Sequence, residues 1–247
     1  VKHMHVFRIT GGEPLLSKHT MKVIDYLLEN PQPNLDFAIN TNACPPHKIW
    51  KNFINKVNIL EETKSVKSFT IFTSAEAKGE QNNYVRFGMD YNLWLKNLKM
   101  LLSNTKNVKL SIMCAVNMLS TTTLHLMIKD INKLRKHSPF ISIDFAYVRN
   151  PKFLDIMITP RKLLDEYMTK IIDVLPIHQW ENEREKFMRI YNSVIELQSK
   201  ANPKELQLTR YNFVEYITEY DKRRGTNFKK TFPEFASYFD QWAFVNV

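Results

Sequence analysis

The stretch Gly11-Gly12-Glu13-Pro14 is where this sequence first offers chemistry. It follows an apolar run, VFRIT at 6–10, and the chain holds only five glycines in 247 residues, two of them adjacent here. Glycine admits backbone angles closed to other residues and lets a ligand approach the main chain. Pro14 suits the first turn of a helix, where its missing N–H costs little. Glu13 is therefore expected on a stiff turn between a strand and a helix. A carboxylate there suits a ligand ammonium through charge-assisted hydrogen bonds. An ordinary turn carrying a solvated glutamate has the same sequence. Two cysteines, Cys44 and Cys114, are too few and too dispersed for a disulfide framework or a CxxC-type zinc site, and read as reduced thiols of a cytoplasmic protein.

These residues need a scaffold, and the sequence supplies one. β-rich runs recur at 6–10 (VFRIT), 35–40 (LDFAIN), 68–73 (SFTIFT), 108–117 (VKLSIMCAVN) and 140–146 (FISIDFA). Between them lie stripes with helical spacing: Met21, Ile24, Leu27 and Leu28; then Leu93, Trp94, Leu98, Leu101 and Leu102; then Leu124, Met127, Ile128, Ile131 and Leu134. Such stripes cover a sheet. Strands alternating with helices predict βα units, a parallel sheet and an α/β fold, with ligands at the C-terminal strand ends. After Pro160 strands become scarce. Segments 161–175, 181–200 and 203–222 read as helices, the last closed by basic residues and Gly225. Residues 1–160 are thus expected as an α/β core and 161–247 as a mainly helical C-terminal extension.

Composition sets the outer limits. With 44% hydrophobic and 24% charged residues the chain has a globular domain's make-up, and no stretch approaches the roughly 18 unbroken apolar residues of a membrane span. The net charge of +10 is spread along helical faces, with its densest basic cluster at Lys222-Arg223-Arg224. That balance leaves a polyanion or nucleic-acid partner open, but no motif supports one.

The strand–GGEP–helix element resembles the second strand of the radical S-adenosylmethionine (SAM) enzymes, where GGE binds the methionine ammonium. Further elements follow in the family's order. NTNA (40–43) is similar to its TNG-type turn, FTSAE (72–76) with YVRFG (84–88) to its S-x-D/E segment, and AVNMLS (115–120) to its fifth-strand element. GMDYNLWLKNL (88–98) and the tract at 219–242 resemble the twitch-domain-containing subgroup. The resemblance implies a partial (β/α)6-type TIM barrel, lacking its first strand and cluster loop, with a C-terminal helical extension.

Carried over by position, Gly11, Gly12 and Glu13 would contact the SAM amino group, and Thr41 and Asn42 would line the pocket mouth. Ser74 and Arg86 would meet its carboxylate and ribose, and Asn117 its ribose or adenine. A hydroxyl donor and a planar guanidinium fork suit those roles. Plain readings stand beside them: Ser74 as a turn cap, Arg86 as a solvated arginine, Asn117 as a helix-start residue. Tyr147, Arg149 and Asn150 follow the fifth strand and read equally as pocket lining or as an ordinary loop.

The family's CxxxCxxC loop, which holds its 4Fe–4S cluster, is missing, and Cys44 and Cys114 cannot replace it. The expectation is an N-terminally incomplete copy whose cluster ligands precede Val1, with no auxiliary cluster in the C-terminal third. The parent enzyme would cleave SAM reductively to a 5′-deoxyadenosyl radical, take electrons from a flavodoxin or ferredoxin, and abstract hydrogen from a substrate the sequence does not name. The alternative is a non-catalytic α/β binding module that uses the residual pocket or its basic surface for a partner or polyanion.

Overall fold

A computed structural model describes residues 4–176 and 181–244. In chain order the elements are β1 (Val6–Ile9), α1 (Lys18–Glu29), β2 (Gln32–Asn40), α2 (His47–Glu62), β3 (Val66–Ser74), α3 (Glu80–Val85), α4 (Tyr91–Asn104), β4 (Lys109–Val116), α5 (Leu124–Arg135) and β5 (Ile141–Tyr147). Then come α6 (Arg161–Val174), α7 (Glu181–Lys200), α8 (Pro203–Arg224), α9 (Phe228–Thr231) and α10 (Ala236–Trp242). Among the described residues the strands form one parallel five-stranded sheet in sequential order, β1-β2-β3-β4-β5. The α/β class is as expected from the alternating pattern.

The strands form where β-branched and aromatic residues cluster. β2 starts earlier than the apolar run suggests, at Gln32, and absorbs Pro33 in a register shift between Gln32 and Asp36. That is where a residue without an N–H is tolerated. Helix starts are set by capping side chains. Ser17 accepts from the His19 amide at 3.2 Å, Asp90 from Asn92 at 2.8 Å, and Asn202 from Lys204 at 2.9 Å. Gly225, in the left-handed region at φ 64°, ends α8.

The chain divides into two compact units. The first holds residues 1–75, 88–113 and 130–144; the second holds 76–87, 114–129 and 145–247. In the first, Phe37, Ile39, Phe69 and Ile71 of the sheet pack with Trp50, Phe53 and Trp94, all buried. The Trp50 and Trp94 indole N–H groups donate to the Asn97 carbonyl at 3.0 Å and the Thr73 hydroxyl at 2.9 Å, so neither burial leaves an orphan donor. The second is centred on Tyr84, Phe213, Ile217, Phe228, Phe232 and Phe235. The helical segment expected at 161–247 lies wholly within this second unit.

Candidate functional site

β1 delivers the chain to Gly11 and Gly12, whose φ values of 95° and 52° are left-handed angles that other residues adopt at a cost. No atom lies within 4 Å of where a Cβ would stand on either glycine. The demand for glycine is therefore conformational, and both positions are open to solvent. Glu13 comes next, extended at φ −115°, and its side chain caps the short 3-10 turn Pro14–Leu16.

The Glu13 carboxylate is fixed from three directions. One oxygen accepts from the Leu15 amide at 3.1 Å and from the Thr41 hydroxyl at 2.7 Å. The other accepts from the Asn42 amide at 2.7 Å. Thr41, 5% exposed, in turn accepts from the Ala43 amide at 3.0 Å. Ala43 has φ 53°, so the NTNA turn after β2 takes the left-handed angle favoured by the glycine of a TNG sequence. Two turns at the C-terminal ends of adjacent parallel strands thus converge on one half-buried carboxylate. Anionic and held by three donors, it still has lone pairs for an incoming cation. On the neighbouring strands Arg8 stacks 3.8 Å from the Phe72 ring centroid and donates to Asn40 at 2.7 Å. Ser74 is the last residue of β3, half-buried, and its hydroxyl has no hydrogen bond among the described residues. A groove of about 330 Å³ beside β1 and α1 is lined by Gly11 and Pro14 together with Phe7, Ile9 and His19; Glu13 is not part of its wall.

In the second unit Arg86 makes a two-pronged pair with Glu76, both contacts at 2.5 Å. Glu76 is 2% exposed, and the Asn82 side chain accepts from its amide at 3.0 Å. Arg86 therefore spends two donors on an internal acid, a role the sequence readings did not assign to it. No local signal marks this pair, because a glutamate flanked by alanines is ordinarily exposed and its burial here is set by the fold. Asn117 is also engaged locally. Its side chain accepts from the Leu119 amide at 2.8 Å and donates to the Ala115 carbonyl at 2.7 Å, in a capping box closed by Ser120. Beyond β5, the Tyr147 hydroxyl donates to Asp155 at 2.7 Å and the Arg149 guanidinium lies 4.9 Å from the Tyr147 ring centroid.

The cysteines do not suit a metal cluster. Cys44 donates to the Asp90 carbonyl, and burial pushes its thiol up to about 11. Cys114 is 1% exposed, and burial, with Glu76 nearby, raises its thiol well above the ordinary value. Cluster ligation needs thiolates at close spacing. Among the described residues no three His, Cys, Asp or Glu side chains are grouped to hold a metal ion. No described helix is long and apolar enough to cross a membrane. No family model matches this chain, and no curated protein or solved structure matches it.

Proposed function

We propose that this chain holds the amino-acid end of S-adenosylmethionine, as the SAM-gripping part of a radical SAM enzyme. The reading is carried by one observation. Glu13 stands immediately after two left-handed glycines and is locked by Thr41 and Asn42 of the next strand's turn. In this reading the ligand ammonium takes the remaining lone pairs of Glu13 and the exposed carbonyls of the glycine turn. Ser74, at the end of β3 and with no hydrogen bond to its hydroxyl among the described residues, is the donor for the ligand carboxylate. The five-stranded sheet is then part of a (β/α)6-type barrel.

The residues of this chain do not fit a 4Fe–4S cluster. Cys44 and Cys114 supply neither the number nor the ionisation it needs. Radical chemistry on SAM would thus require three thiolates from outside residues 1–247, and nothing in this chain performs that step. What the chain contributes is binding, orientation and charge.

Amide resonances test the reading directly. The Leu15 and Asn42 amides donate to the Glu13 carboxylate and must report an ammonium that docks there. Titration with S-adenosylmethionine should shift both saturably, and a deaminated analogue should not. Glu13→Gln should weaken binding about tenfold or more, the worth of one charge-assisted hydrogen bond. Amides that stay still under saturating ligand, or equal affinity in the variant, refute the assignment.

A further inference from the structure

A second cavity, of about 520 Å³, opens in the first unit at the other end of the strands. It lies where β3 and β4 begin, beneath the turn that closes α2. Its size is that of a small-molecule pocket. Leu60 and Phe69, both buried, line it together with Phe140, which is 41% exposed.

The cavity's charges are unbalanced. Glu61 is its one acid, and both carboxylate oxygens are committed to the chain, accepting from the Lys106 and Asn107 amides at 2.9 and 2.8 Å. Of its three lysines, Lys67 pairs with Asp36 at 3.0 Å. Neither Lys64 nor Lys109 has a carboxylate within ion-pair distance among the described residues, although the Lys109 charge reaches Asp36 and helps to lower its pKa. Like charges facing one cavity repel, and an anion between them removes that repulsion.

Lys64 adds an independent observation. α2 ends in a Schellman motif, with the Lys64 amide on the Glu61 carbonyl at 3.2 Å and the Ser65 amide on the Leu60 carbonyl at 3.1 Å. The residue at that place is left-handed, here φ 50°, and glycine is its ordinary occupant. Local stability thus disfavours a lysine at this position, and departures of this kind concentrate at functional or strained sites.

We propose that this cavity binds a nucleoside phosphate: the Lys64 and Lys109 ammonium groups take phosphate oxygens, and the Phe140 ring takes the base. Lysine serves phosphate as a compact point charge, and an aromatic face stacks on a flat heterocycle. The site is separate from Glu13 and does not rest on the SAM reading.

ADP is the probe, with pyrophosphate as the control that lacks a base. Calorimetric titration into the intact chain should show saturable one-to-one binding of ADP, weakening as salt rises. Lys109→Gln and Lys64→Gly should each weaken it about tenfold. Lys64→Gly should do so with an unchanged or raised melting temperature, because glycine suits the backbone there, so loss of binding cannot be loss of fold. Phe140→Ala should weaken ADP more than pyrophosphate. Absence of ADP binding, or undiminished affinity in both lysine variants, overturns the proposal; equal losses for ADP and pyrophosphate in Phe140→Ala overturn the ring's part in it.

Discussion

Replacing Glu13 by glutamine changes one oxygen to an amide and leaves the shape intact, so it isolates what the carboxylate does. With its oxygen on the side of Leu15 and Thr41, the amide keeps both of those bonds. Its NH2 then faces the Asn42 N–H, which stood 2.7 Å from an acceptor, and two donors oppose each other. Turning the amide over restores Asn42 and sets the NH2 against Leu15 instead. Either way one bond to a charged acceptor is lost, worth about 1.5–3 kcal/mol. Glu13 is only half-buried, so water recovers part of this, and we expect about 1.5 kcal/mol. For a chain of this length that lowers the melting midpoint by roughly 3–6 °C. The loss should be local as well. Hydrogen exchange at Leu15 and Asn42 should accelerate more than at core amides such as Phe37. Thr41→Val removes another arm of the same network, so the two changes should be non-additive by about 0.5–1 kcal/mol in a double-mutant cycle. Additive effects, or an unshifted midpoint with unchanged exchange at Asn42, would show that the carboxylate does not join the two turns.

Other consequences follow from the buried groups. Arg86→Leu leaves Glu76 buried without its cation and should cost about 3–5 kcal/mol in chemical denaturation, most of it recovered by adding Glu76→Gln. His125 is held below its ordinary pKa by burial and by Lys170 and Lys129, so the unfolded chain binds more protons just below pH 6.5. Unfolding free energy should therefore fall as pH drops from about 7 through 6, and His125→Gln should flatten that slope; an unchanged slope refutes the assignment. With its thiol pushed up to about 11, Cys44 should alkylate roughly a hundredfold more slowly at pH 8 than an ordinary exposed thiol, with Cys114 unreactive until unfolding. Both should label at ordinary rates in denaturant, read by mass spectrometry.

The sequence by itself determined the alternation of strands and helices and most element limits. Val6–Ile9, Lys109–Val116 and Glu181–Lys200 stand within a residue or two of their apolar and polar runs, because periodicity and caps are local properties. It also marked Gly11 and Gly12, since a left-handed angle leaves its trace in residue type. It carried the apolar face of α2 too, since Trp50, Phe53, Ile54, Val57 and Leu60 recur at ordinary helical spacing, although the reading by strands and stripes passed over it. Only the tertiary structure decided who meets whom. That Glu13 binds the turn of the next strand and that Lys64 and Lys109 share a cavity both depend on strand register and crossover packing. Those are contacts between residues far apart in the chain, and no local pattern encodes a distance across a sheet.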